Sequence, residues 1–377
     1  MKGSIMKNKL KILMILSTLL FLMTACSGES MIKLSEENQK IVEQKQAKIN
    51  QKKKNSQKTD KKVDHTKWKI SKKNNNYKIN DFISFPMNEL KIFSDGKNQK
   101  RTYTCFLDEK NSYAQTISID NNNVMGKLIH WDKEAIYQQN ISKDKVFIDQ
   151  KNNDNKPLDT ILTSNLNKEA SWKFGKETAK ITEIYDEIIL KNKKFRDVIE
   201  VSVGKNIYYF EKNEGLVAEL SENKFWYLED VVKDVMLVTQ IDLFVPNSQQ
   251  NTLINKQSQE FHWQTNDTMI NALTFVFRNN NWINSEQSVK DIKIEGDLAT
   301  VTFSPTVVAQ FNQHPQGEQA VIASIIANIC KFTGVQKVCL KTNESNLVPW
   351  TYYVQNNGIY NYDEEWQTTI YPQMLEQ

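Results

Sequence analysis

The sequence predicts an α+β protein: a β-rich N-terminal domain of largely antiparallel strands, followed by a second domain whose elements run β-α-β-β-α-β. Two observations lead there. Between Asp81 and Val235, short runs rich in Ile, Val, Tyr and Phe alternate with polar turns, the pattern of strands. Beyond Met236, strand-like runs are interrupted by two stretches whose apolar residues recur at helical spacing. Strand pairs that alternate with helices place the helices on one face of a sheet.

In chain order, Lys2, Lys7, Lys9 and Lys11 precede an unbroken apolar or small stretch from Ile12 to Met23, which is followed by Thr24, Ala25 and Cys26. The apolar stretch is shorter than the about 20 residues a membrane helix needs, and a basic start before a short apolar run reads as a secretory signal over residues 1–25. Its ending, Met23-Thr24-Ala25-Cys26, resembles the lipobox of bacterial lipoproteins. That resemblance implies cleavage before Cys26, a diacylglycerol on its sulfur, and a mature protein anchored on the extracytoplasmic face of the cell membrane. Residues 26–80 are rich in Lys, Asn and Gln with few, irregularly spaced apolar residues. They are expected to form a flexible tether, because they bury too little surface to offset the entropy of ordering. Its Lys excess would favour anionic lipid head groups or wall polymers by about 1 kcal/mol for each Lys near the surface.

In residues 81–235, strands are expected over Lys180–Leu190, Phe195–Val203, Ile207–Glu211 and Leu216–Leu220, with a tight turn at Lys212-Asn213-Glu214-Gly215. The string YYFEKNEGLVAEL resembles a hairpin found in many Gram-positive lipoproteins, which supports an antiparallel sheet and names no ligand.

In residues 236–347, LVTQIDLFVP reads as a strand and Asp267–Phe277 as a helix with Asn266 as its N-cap. Val289–Ile294 and Leu298–Phe303 form a hairpin turning at Glu295-Gly296-Asp297. A second helix spans Gln316–Phe332, with Ile322, Ile325, Ile326 and Ile329 on one stripe and Gly334 as its stop, before a strand over Val335–Lys341. The strings VKDIKIEGDLATVTFSP and GEQAVIASIIANICKFTGVQKVCLKTNES resemble the GerMN domain, first described in spore germination proteins and widespread in Gram-positive lipoproteins. That resemblance implies a binding scaffold without a known active site, and a role in envelope assembly, sporulation or germination.

Residues 348–377 form an aromatic C-terminal extension. Trp350, Tyr352, Tyr353, Tyr360 and Trp366 surround Asn356-Asn357-Gly358, a hairpin signal. These five are the candidate binding residues, as a platform that stacks on wall sugars or holds a protein segment. The competing expectation is that they cover the sheet edge of their own domain.

Charge and motifs narrow the function. The formal net charge is +4 over 377 residues, with four histidines. Much of the excess lies in the signal and tether, so the folded part is near neutral and nucleic acid is not an expected partner. His65, His130, His262 and His314 are scattered, and the sequence holds no CxxC, HxxxH, GxSxG or Gly-rich phosphate loop. No catalytic residue, metal ligand or cofactor is assigned. The acids Glu229-Asp230 and Asp363-Glu364-Glu365 are the candidates for glycan hydrolysis, and a solvated acidic face is the simpler reading. Cys330 and Cys339 flank the Gly334 turn. A disulfide needs Cα atoms within about 7 Å and Cys339 facing the helix, whereas Val338 and Leu340 are the expected inward residues, so buried packing is preferred.

The function expected is a lipid-anchored, extracytoplasmic, non-enzymatic binding or assembly protein with an envelope protein or peptidoglycan as partner. A wall-active glycan hydrolase and a solute-binding lipoprotein are the alternatives. The solute-binding reading requires a deep pocket.

Overall fold

The computed structural model describes residues 65–72, 76–120, 123–150, 158–221, 223–247, 254–307, 318–343, 346–347 and 359–362. Cys26 and most of the tether and aromatic extension lie outside them. The architecture is β-rich and mostly antiparallel.

The first thirteen strands are β1 Lys69–Ile70, β2 Leu90–Ser94, β3 Gln99–Asp108, β4 Tyr113–Asp120, β5 Asn123–Trp131, β6 Ala135–Ile141 and β7 Asp159–Thr163, then β8 Ser171–Phe174, β9 Glu177–Leu190, β10 Lys193–Val203, β11 Asn206–Glu211, β12 Gly215–Ser221 and β13 Lys224–Val232. They join in one sheet of order β1-β9-β10-β11-β12-β13-β2-β3-β4-β5-β6-β7, with β8 also on β9. The four expected strands are β9 to β12, each found within a few residues of its expected bounds. The chain meanders from β9 to β13 and then pairs β13 with β2, so the first and last hairpin series share one sheet.

The two ends of that series come together. On β8, Trp172 Nε1 donates to Thr160 O of β7 at 2.8 Å, while β8 pairs along β9. The sheet therefore curls into a barrel whose seam lies between β7 and β8. Curling follows from the right-handed twist of each strand pair, which a sheet of this many strands cannot accommodate flat. Inside, Ile136, Leu162, Ile181, Ile199, Val201 and Phe210 belong to one buried cluster.

The stretch read as tether joins this body before residue 81. Trp68 is buried edge-on against Tyr185 and Tyr209, at ring separations of 5.2 and 5.4 Å, and its Nε1 donates to Ile189 O at 3.1 Å. Ile79 and Phe82 enter the barrel cluster.

The remaining strands are β14 Leu237–Pro246, β15 Ile254–Trp263, β16 Val289–Glu295, β17 Leu298–Phe303, β18 Lys337–Asn343, β19 Asn346–Leu347 and β20 Ile359–Asn361, with helices α1 Met269–Asn279 and α2 Glu318–Thr333. β14 and β15 form a two-stranded ribbon, and β16-β17-β18-β19 a second sheet with β20 also on β18. β16 and β17 are the expected hairpin, turning at Gly296, whose φ of +60° suits glycine. β17 and β18 are parallel, with α2 as the crossover between them. Gly334, at φ +78°, stops α2 and donates to Cys330 O at 2.8 Å.

Three expectations change here. β15 was not foreseen: apolar–polar alternation is absent from INKQSQEFHW, and only Ile254, Phe261 and Trp263 are buried in the core. The N-cap of α1 is Thr268, whose side chain accepts from Asn271 N at 3.3 Å. Asn266 instead clasps β3, accepting from Leu107 N at 2.7 Å and donating to Leu107 O at 2.9 Å. Finally, α2 is buried all round and not along one stripe, since Val321, Ala323, Ser324 and Asn328 are as inaccessible as Ile325 and Ile326.

The polar residues of α2 have a structural task. Asn328 accepts from Phe244 N at 3.0 Å and donates to Phe244 O at 2.7 Å, and Lys331 donates to Asp242 O. Phe244 and Asp242 turn these main-chain groups away from β15, so α2 occupies the open edge of β14. The 235/236 boundary also has no break in packing. Leu90, Tyr103 and Cys105 on the outer wall of the barrel share one core with Trp263, Leu273 and Ile326. Trp263 Nε1 donates to Cys105 O at 3.1 Å, and Thr265 Oγ1 to Thr104 O at 2.8 Å.

Candidate ligand cavity

The candidate site lies inside the barrel, where alternation along each strand decides which side chains point inward. On β3 these are Lys100, Thr102 and Thr104, on β4 Thr116 and Ser118, and on β5 Lys127 and Ile129; Cys105 and Ile117 take the opposite parity and pack against the second half of the chain. Together with residues of β2, β6, β7, β8, β10, β11 and β12 they enclose a cavity of about 190 Å³. For scale, an apolar cavity of about 150 Å³ in an engineered protein core holds a benzene molecule.

The cavity has two kinds of wall. Ile136, Ile161, Phe174, Val201 and Phe210 make an apolar wall, and Phe82 and Phe85 approach from the segment before β2. The other wall is polar and carries all five charged lining residues: Glu89, Lys91, Lys100, Lys127 and Glu219.

Those charges are unequally partnered. Lys100 Nζ is paired with Glu219 Oε1 and lies 5.5 Å from the ring centres of both Phe93 and Trp226. Lys91 Nζ donates to Glu214 O at 2.7 Å and sits 3.7 Å from Glu214 Oε1. Burial pushes the Lys91 ammonium below the usual lysine range against the opposing pull of Glu214 and Glu89. Burial likewise raises the Glu89 carboxyl, which Lys91 counteracts. Lys127 makes no hydrogen bond or ion pair with any described residue. Its ammonium is held below the usual lysine range by burial; Glu219 opposes that shift and Lys100 adds to it. Lys127 is half-buried, and withdrawing its ammonium from bulk water without a hydrogen-bonded partner costs free energy.

The residues singled out in the sequence lie elsewhere. Cys26, Trp350, Tyr352, Tyr353 and Trp366 fall outside the described residues, as do His314 and Asp363-Glu364-Glu365. Tyr360 is on β20, where it faces Val338 of β18 and is 6% exposed. It is therefore a core residue covering the sheet edge, and its ring is not part of an open platform. Glu229 accepts from Gln99 Nε2 at 3.3 Å. His262 lies 2.6 Å from Glu260 Oε1 and stacks on Phe275, while His65 and His130 pack on Trp68 and Tyr113. Cys105, Cys330 and Cys339 are free thiols, all buried; Val338 and Leu340 point into the core, as expected.

No sequence motif marks the cavity, because each strand contributes only one to three inward residues. The available signal was polar parity, as in Lys100-Thr102-Thr104 and Thr116-Ser118. Such a pattern reads equally as a solvated outer face. Comparison with protein-family models, with curated proteins and with solved structures finds no match to this chain.

Proposed function

We propose that this chain is a ligand-binding protein of the cell envelope, which encloses a small molecule with an apolar body inside its barrel and does not turn it over. The observation that carries this reading is the cavity itself: walls drawn from ten strands, apolar on one side and polar on the other. A barrel whose only task was structural would fill this interior with side chains, as small barrels do. Of the readings raised by the sequence, solute binding is the one that requires such a pocket. Cys26 with its diacylglycerol would hold the body at the outer face of the membrane. Residues 236–347 would act as a GerMN-like module buttressing the barrel wall. Support for that module comes from the β16–β17 hairpin followed by the α2 crossover to β18.

The test uses the full chain carrying Cys26→Ala, so that no lipid is attached, and N-phenyl-1-naphthylamine, a neutral fluorophore that brightens in apolar surroundings. Saturable binding is expected, and it should be lost in the additional variant Thr116→Phe, which fills the cavity from β4. Equal saturation in both proteins, with unchanged circular dichroism, would overturn the reading. Mass spectrometry of the protein from its native membrane should find diacylglycerol on Cys26, and an unmodified Cys26 there would remove the anchor from the proposal.

A further inference from the structure

We infer that the ligand is a monoanionic amphiphile, with its charged head held by Lys127 and its apolar body against the opposite wall of the barrel. This deepens the cavity reading and rests on it. Two observations point to the charge. The described lining residues include three lysines, Lys91, Lys100 and Lys127, and two carboxylates, Glu89 and Glu219. Lys100 is paired with Glu219, Lys91 with Glu214 from outside the lining, and Glu89 with Lys233, so the lining lysine left without a partner among the described residues is Lys127.

The strand register also builds a seat around that ammonium. Thr116 on β4 lies directly beside Lys127 on β5. On the other side of β4, Thr116 pairs with Thr104 and Ser118 with Thr102 of β3. All of these side chains line the cavity. One ammonium and four hydroxyls on three adjacent strands thus form a row of hydrogen-bond donors, the arrangement that accepts a carboxylate or phosphate oxygen. The apolar wall of Ile136, Val201 and Phe210 faces this row and suits an acyl chain or ring. Binding an anion also removes the desolvation imbalance at Lys127, since an opposite charge within a few ångströms favours the protonated amine.

A fatty acid and an anionic phospholipid share this chemistry, and the experiment separates them. In the Cys26→Ala chain, displacement of N-phenyl-1-naphthylamine is measured with decanoate, its neutral counterpart 1-decanol, and dihexanoylphosphatidylglycerol. Decanoate is expected to bind at least about tenfold more tightly than decanol. Lys127→Met should weaken decanoate by about tenfold to a hundredfold, the range for a lost charge-assisted hydrogen bond, and leave decanol within about threefold. Lys127→Arg should restore most of the decanoate affinity, which excludes a folding defect as the cause. Stronger displacement by the phospholipid than by decanoate, with the same Lys127 dependence, assigns the head to a lipid and also supports the inference. Equal affinity for decanoate and decanol in the parent overturns the anion assignment and leaves the cavity reading standing. Failure of the fluorophore to bind at all overturns both.

Discussion

Asn328→Leu tests the way α2 holds the second half of the molecule together. Asn328 is fully buried in α2, and its amide both accepts from Phe244 N and donates to Phe244 O, at 3.0 and 2.7 Å. Its Nδ2 also lies 2.8 Å from Ser324 O. Leucine has the same branched skeleton of four side-chain heavy atoms and is bulkier, so the change removes the polar clasp without opening a cavity. Two main-chain groups of Phe244 then lie buried without partners, each costing about 1–3 kcal/mol. Relief from burying the amide itself offsets part of this, which leaves a net loss of about 2–4 kcal/mol. At roughly 2 °C per kcal/mol for a chain of this size, the melting temperature should fall by about 4–8 °C. The assay is thermal unfolding of the full chain, followed by circular dichroism. Ser324→Ala is the control, because Ser324 Oγ makes only a bond within the helix, to Ala320 O at 2.8 Å; it should shift melting by about 2 °C or less. If Asn328→Leu melts with the parent, or if the control costs as much, α2 does not close the edge of β14 as argued.

Two further outcomes follow from buried ionisable groups. Lys127 has its amine pKa depressed by burial, so between that value and the ordinary lysine range the folded state carries fewer protons than the unfolded state. Stability contributed by this site must therefore rise with pH across that window; Lys127→Met should melt higher than the parent at pH 7, and the difference should shrink toward pH 10. A constant difference would place the ammonium in solvent. The Cys330 thiol is pushed up to about 12 by burial, and burial also raises Cys105 and Cys339. Folded protein should thus react with Ellman's reagent far more slowly than unfolded protein at pH 8, and unreduced protein in denaturant should yield all three of these thiols. A yield of one would reveal a Cys330–Cys339 disulfide.

Local signals were readable wherever chemistry and backbone geometry act within a few residues. Gly296 and Gly334 stand where the hairpin turns and the helix stops, because positive φ is needed at both places. The strands β9 to β12 are dense in Ile, Val and Tyr, and they were found near their expected bounds. The misreadings concern residues whose role depends on a distant partner. Asn266 has the side chain of a good N-cap and sits just before a helix, yet it is spent on Leu107, more than 150 residues away in the chain. INKQSQEFHW looks too polar for a strand, but pairing along the whole of β14 holds it in the ribbon. Trp68 lies in a Lys- and Asn-rich stretch and is buried because Tyr185 and Tyr209 offer it two ring edges.

The candidate site belongs to the second group. Lys91, Lys100, Lys127, Thr102 and Thr116 look like the solvated face of half-buried strands, and period-two alternation is the same whether that face meets water or the inside of a barrel. The amino-acid sequence alone therefore determined the β-rich character, the hairpin and helix of the second half, the inward parity of Val338 and Leu340, and the absence of any local catalytic motif. Only the tertiary structure decided which face of β3, β4 and β5 is enclosed, because closure depends on β13 reaching β2 and on β8 meeting β7. The β13–β2 pairing joins segments more than 100 residues apart in the chain, and with the meeting of β7 and β8 it turns an ordinary polar face into the wall of a cavity.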